Sequence, residues 1–471
     1  MNLVQDAWIP VMMRDGSHAR VSLMDVFKQG ESIADLAANP CQRIALMRLL
    51  ICITQAALDG PADEKAWSTC LPLIPEAAQA YLSKWKDKFN LFGKDAFLQV
   101  EGLKETLNAT SDKLDFTLAS GNNATLFDHA ATPEGRSTEK AKCILNLLVY
   151  QIFSPGGMIG TSSWENQDTK GTSEHAPAVE GSMIHTLIRG KTLIESIHAN
   201  LLTKNTIRQL PNFGWGNPCW ESALTRSTLE SLCSTYLGRL VPVTRAIRCN
   251  KGNPAVTLVA GVLYPKLPEN REPMATVRQG KDKLMYLPIN LDKQPWRELS
   301  ALLSLDQIDG KGGALALPHL RSLKQDESFN IWTGGLLADK GKLLDMAEWS
   351  FTLPLQLLDS TTLANYQIGV EKANVGEMRL RDAIKSYAEL LKSQNVWRSI
   401  AQKVFWTELD HLSHILVETV TKEDRSLEDF WNAAIQKAAK TAYEQTCPHE
   451  TPRQIQAYVR GLKVLQKKEK A

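Results

Sequence analysis

Apolar residues along this chain repeat with helical spacing in some stretches and with strand spacing in others. Residues 40–58 (PCQRIALMRLLICITQAAL) place apolar groups at intervals of three and four, which predicts an amphipathic helix with much of its circumference buried. Residues 143–153 (CILNLLVYQIF) have little polar relief and predict a fully buried helix of about three turns. Residues 75–85 (PEAAQAYLSKW) predict another, with proline at its first position, where a missing N–H costs nothing. AWIPVMM and ARVSL flank the turn Arg14 to Ser17 as short strands, further short strands are expected at 92–100 and 114–116, and residues 238–291 read as largely sheet. From Tyr366 onward the period is helical throughout. Four amphipathic helices are expected there, broken at 422–426 and 447–452, with Ser426/Asp429 and Thr451/Gln454 as capping pairs. The fold class is therefore α+β: a large mixed N-terminal domain over 1–364 with short sheets and helices, and a C-terminal four-helix bundle over 365–471.

Two interruptions stand out. After the apolar run ending at Phe153, Pro155 disfavours further helix, and Gly156, Gly157 and Gly160 make a loop nearly free of side chains that can approach another surface closely. A plain helix cap with a surface turn is the simpler reading of the same residues. Beyond it, some 20 polar and turn-rich residues precede Met183, a length that points to function or disorder. The second interruption is 331–346 (IWTGGLLADKGKLLDM), where Leu336 and Leu337 mirror Leu344 and Leu343. It predicts a hairpin tipped by Asp339, Lys340 and Gly341, either ordinary or functional.

Composition narrows the function. With 471 residues, 43% hydrophobic and 23% charged, the chain can bury large cores, and no run approaches the roughly 18 apolar residues of a membrane span. The first residues show no basic leader, so a cytoplasmic location is expected and no membrane partner. Eight scattered cysteines without a C-x-x-C pair read as reduced core residues, so neither zinc nor any other cofactor is expected. Net charge is only +2, so any contact with nucleic acid must be local or shared with partners. Residues 248–254 form a tight basic turn, either solvated or directed at a phosphate. Trp215 and its neighbours in PNFGWGNPCW suggest a packed corner or, as the alternative, a base-stacking site.

Signatures of catalysis fail. Gly335 to Lys342 has one residue too many for a phosphate-binding loop, and Leu343 stands where Ser or Thr must hold magnesium. No H-E-x-x-H or G-x-S-x-G is present, and His185 and His198, on a predicted strand and helix, read as core histidines.

The opening MNLVQDAWIPV, the block NNATLFDHAA, the loop SPGG, the hairpin TGGLLADKG and the terminal helices occur in an order that resembles the large-subunit (CasA) family of Cascade, the type I-E CRISPR interference complex. The resemblance implies a non-catalytic subunit that recognises the protospacer-adjacent motif in double-stranded DNA and promotes duplex opening and R-loop formation. The implied partners are the CRISPR guide RNA, the other Cascade subunits, target DNA and a helicase-nuclease recruited after R-loop formation. The family's minor-groove loop falls on Gly156, Gly157 and Gly160, and its lysine finger between Lys251 and Pro254, with Lys251 and Asn253 as candidates. Its duplex wedge falls on Asp339, Lys340 and Gly341, where relatives often carry Asn-Gln, and its guide-RNA and subunit contact loop on Phe127, Asp128 and His129. Two other readings stand beside this one: a free-standing nucleic-acid enzyme whose carboxylates converge in the fold, and a helical scaffold without DNA readout.

Overall fold

Helix Pro40–Leu58 shows how this sequence builds its core. Asn39 caps it, accepting the Gln42 N–H at 3.0 Å, Pro40 occupies the first turn, and Asp59 ends it in a left-handed conformation. Nearly every side chain from Ile44 to Gln55 is buried, which explains the unusually apolar sequence. Against expectation, its 19 residues are long and apolar enough to cross a membrane by length and composition. Its apolar surface is instead consumed by protein, including the helix Lys140–Phe153. Arg48, in the middle of it, is fully buried: its guanidinium meets Glu272 at 2.9 Å and donates to the Leu240 carbonyl at 2.8 Å, while Arg239 binds the other Glu272 oxygen.

The computed structural model describes residues 1–116, 139–251, 255–305, 310–322, 328–339, 341–394, 397–422 and 424–466. They form two compact units, one of 1–289 with 305–352, the other of 290–304 with the remainder from 353. In the first unit, Ile9–Met13 pairs with His18–Val21 and Ile33–Leu36, and Arg245–Cys249 and Ala109–Thr110 flank Ala255–Ala260. The long strand Ser328–Asp339 lies between His185–Arg189 and Lys342–Pro354, so the predicted hairpin is formed.

Three strand expectations are corrected. Residues 92–100 make no strand. They form a packed turn region in which Phe97, Leu98 and Val100 are buried and the Gln99 side chain supplies hydrogen bonds that a sheet neighbour would otherwise provide. At 111–114 there is a 3-10 turn. The 238–291 stretch opens in the helix Tyr236–Leu240, capped by Thr235, and its sheet is limited to Arg245–Cys249, Ala255–Ala260, Val277–Gln279 and Leu284–Tyr286. Between these pieces, buried Arg271 and Glu272 hold the chain by side-chain bonds, with Arg271 donating to the Gly312 carbonyl at 2.8 Å.

The second unit contains the C-terminal helices. Ser360–Leu391 runs for 32 residues and buries Tyr366, Val370, Ala373, Leu380, Ile384 and Tyr387 along one stripe. The run VFWTELDHLSHILVETV is divided between Arg398–Asp410 and Ser413–Lys422; at the break, the Asp410 carboxylate accepts the Trp296 indole N–H at 2.7 Å. Arg425–Thr446 and Pro452–Leu465 follow. Thr451 and Gln454 form the expected reciprocal capping box. Ser426 is not the cap of its helix: Asp424 is, its carboxylate accepting the Ser426 N–H at 2.8 Å, so the helix starts at Arg425 and Ser426 lies in its first turn. The architecture is α+β, as the periodicity implied.

Candidate nucleic-acid interface

The helix Lys140–Phe153 ends at Ser154, and Pro155 hands the chain to the glycine loop. The polar stretch after it is ordered into two small ribbons rather than left without structure. Gly157–Met158 pairs with Thr172–Ser173, and Ser163–Trp164 pairs with Gln167–Asp168 through a tight turn at Glu165 and Asn166, both at positive φ. Trp164 anchors the second ribbon: it is fully buried, its indole donates to the Glu101 carbonyl at 2.9 Å, and the Arg226 guanidinium lies 4.8 Å from its ring centre.

The three glycines differ in what they do. Gly156 lies flat against the returning strand, where an added Cβ would sit 3.0 Å from both the His175 nitrogen and the Ser173 carbonyl oxygen. Gly157 has a φ of +132 with open space beyond it, and Met158 next to it is 91% exposed. Gly160 packs under Asn108, so a Cβ there would collide with the amide that accepts the Leu258 N–H at 2.9 Å. The loop is thus stitched to the strand Ala255–Ala260 at one end and free at Gly157 and Met158.

Behind the loop, Arg245 is buried and donates to the Pro155 carbonyl at 2.9 Å and the Glu174 carbonyl at 2.6 Å, tying its two ends together. Burial lowers the Arg245 pKa to about 10, which leaves the guanidinium charged at neutral pH. The His175 Nδ1 accepts the Gly156 N–H at 3.0 Å. Neither side chain is foreshadowed in the sequence, because Arg245 reaches the loop from 90 residues away and His175 from 19, each through the fold.

The hairpin arrives from the other side. Ser182 grips its outgoing strand, accepting the Ala338 N–H at 3.0 Å and donating to the Ala338 carbonyl at 3.1 Å. Asp339 is exposed, and Gly341 takes a φ of +82. A Cβ on Gly341 would lie 2.5 Å from the Gly156 carbonyl oxygen, so two segments read separately from the sequence meet backbone to backbone.

Lys251 lies exposed in the turn after Arg245–Cys249. Arg248, the other cation of that turn, is committed to the Gly93 carbonyl at 2.7 Å and the Lys94 carbonyl at 3.2 Å. Asn253, Lys340 and the trio Phe127, Asp128 and His129 lie outside the described residues. His185 and His198 are core groups: burial drives the His185 pKa down to about 3, and His198 stacks on Trp67 with ring centres 4.5 Å apart.

All eight cysteines are free thiols, seven of them buried, and burial pushes Cys219 and Cys447 up to about 12. Among the described residues no group of three or more His, Cys, Asp or Glu is placed to hold a metal ion. Elemental analysis of purified protein is accordingly expected to find less than stoichiometric zinc, and a chelator to leave the melting temperature unchanged. One tightly held zinc per chain would contradict this.

The family model for CRISPR-associated protein Cse1 matches residues 2–446. A Thermus thermophilus protein described as CRISPR-associated protein CasA/Cse1 is 28% identical over 488 residues, covering 94% of this chain and 92% of its own. Among solved structures, Thermus thermophilus CasA superposes with a TM-score of 0.81 at 21% identity, covering 99% of this chain and 98% of that one. Thermobifida fusca Cse1 gives 0.79 at 20% identity, with coverage of 99% and 98%. A chain of a structure titled CRISPR RNA-guided surveillance complex gives 0.79 at 19% identity, with 99% of each chain covered. The structural likenesses establish a shared fold, and the match of the family model over nearly the whole length establishes more: this chain belongs to the CRISPR-associated protein Cse1 family.

Proposed function

We propose that this chain is the large subunit of a type I-E CRISPR RNA-guided surveillance complex. In that role it recognises the protospacer-adjacent motif in double-stranded DNA, starts duplex opening and recruits the helicase-nuclease, without chemistry of its own. The observation that supports this best is the meeting of Gly156 with Gly341, which puts a side-chain-poor loop and a projecting hairpin tip side by side. A reader next to a wedge is what motif-dependent opening requires, because strand separation must begin at the base pair beside the motif.

The loop suits a minor groove only about 6 Å wide, where the donor and acceptor pattern is degenerate and several motifs would be tolerated. Met158, projecting from the free part of the loop, is an apolar group of the kind that contacts the groove floor. Lys251, in the turn between Arg245–Cys249 and Ala255–Ala260, is the cation assigned to a phosphate or base edge, with Asn253 as its alternate. Near-neutral net charge fits a protein whose DNA affinity is shared with the guide RNA and neighbouring subunits, which the segment at Phe127, Asp128 and His129 would contact. The 1–364 region carries the motif-reading elements and the helices of 365–471 a docking role, in the cytoplasm where the guide complex works.

Gly157→Leu tests this reading. Gly157 has open space around it, so the new side chain disturbs no packing, yet it fills the groove-facing gap and disfavours the positive φ. In gel shifts of the assembled complex, discrimination between targets with and without the motif is expected to disappear while assembly is retained. Unchanged discrimination would overturn the assignment of the loop. Gly160 is the poorer probe, since substitution there also displaces Asn108.

A further inference from the structure

We infer that His175 is the positioning residue of the Gly156–Gly160 loop, its neutral imidazole accepting the Gly156 N–H and thereby fixing the loop backbone against the hairpin tip. The consequence for DNA rests on the reading just proposed; the ordering of the loop does not.

Gly156 is a junction of three contacts. Its N–H is held by the His175 Nδ1 at 3.0 Å, its α-carbon lies against the backbone of Ser173 and His175, and its carbonyl faces Gly341. Arg245 clamps the flanking Pro155 and Glu174 carbonyls but offers no acceptor, so it cannot replace the imidazole. An imidazole accepts at Nδ1 only while that nitrogen is unprotonated.

The groups facing His175 favour that form. Burial is the largest influence, followed by the Lys266 ammonium and the Arg245 guanidinium, and together they hold the pKa below 6.5. Glu174 opposes them, but its carboxylate is itself paired with Lys266 at 2.7 Å. The bond is therefore present at neutral pH and is lost as pH falls below 6.5 through the depressed folded-state value. When the proton arrives, Nδ1 becomes a donor facing another donor, and Gly156 is released from the strand it lies on.

The test uses the intact chain and then the assembled complex. Amide hydrogen exchange at 156–160, corrected for intrinsic rates, is compared from about pH 7.5 down to about pH 4 for wild type, His175→Asn and His175→Ala, so that the range passes through the depressed imidazole value. Asparagine keeps an acceptor near the Nδ1 position and cannot take up the proton. Wild-type protection of the Gly156 amide is expected to fall about fivefold on acidification, the loss of one ordinary hydrogen bond, whereas the asparagine variant stays flat and the alanine variant sits at the lower level throughout. Wild-type protection in the alanine variant, or a pH-independent wild type, would overturn the inference. Gel shifts over the same range separate the two claims. If exchange behaves as expected and motif discrimination follows it, both hold; if discrimination ignores it, His175 still orders the loop and the groove-reading role of the loop fails.

Discussion

Replacing Glu272 with glutamine is expected to lower the stability of this chain by about 3–5 kcal/mol, because two guanidinium groups would be left in the core without a counter-charge. Arg48 and Arg239 are 0% and 1% exposed, and both converge on this one carboxylate, itself 0% exposed. Burial alone would raise the Glu272 pKa, but the two guanidinium groups and their hydrogen bonds more than reverse that and bring it to about 2. The sign of the pH dependence follows. A carboxyl group depressed in the folded state contributes fully above its unfolded value, about 4.5, and that contribution fades as pH falls toward 2. Urea titrations should therefore show a large deficit for the variant at pH 7 that narrows on acidification toward the folded value, since protonation does to the wild type what the substitution does permanently. A deficit below about 1 kcal/mol at pH 7 would mean that the cluster is dispensable to the core.

That cluster also shows where reading the sequence stops. Helix Pro40–Leu58 was legible because its cap, its proline and its apolar period all lie within one stretch. That Arg48 is the centre of the core depends on Arg239 and Glu272, some 190 and 224 residues away, and no local period encodes such a distance. The same division runs through the candidate site. The proline, the glycines and the mirrored leucines announced a close-approach loop and a hairpin. Their adjacency at Gly156 and Gly341 is a tertiary fact, as are the supports from Arg245, His175 and Asn108. The ribbons at 157–173 escaped notice because strands of two residues carry no alternation to detect, and are held by one buried tryptophan and by positive-φ turn residues.

Shortening the tip at 339–341 is expected to leave motif binding close to normal and to slow strand separation by roughly tenfold for each base step that the wedge no longer holds open, given about 1.4 kcal/mol of stacking per step. Ser182 holds the strand that leads into the tip, so in the proposed role the tip would act sterically, occupying the space of the first base pairs while the neighbouring loop stays on the motif. Lys340→Ala should give a smaller defect that shrinks as salt rises, because a single cation on a displaced strand's phosphate is lost. Gly341→Ala separates the tip's shape from its placement. The new methyl group would press on the Gly156 carbonyl at 2.5 Å and strain a φ of +82, pushing hairpin and loop apart, so it should weaken motif discrimination as well as opening. Permanganate footprinting of unpaired thymines on a matched target reads opening directly. The same complexes on a target with a pre-opened bubble show whether opening is all that was lost. Rescue of the shortened tip by the bubble is the expected result, with only partial rescue of Gly341→Ala. A shortened tip that the bubble fails to rescue would mean that the hairpin supports the loop rather than splitting the duplex, and the wedge would then have to be sought among the other exposed residues beside Gly157.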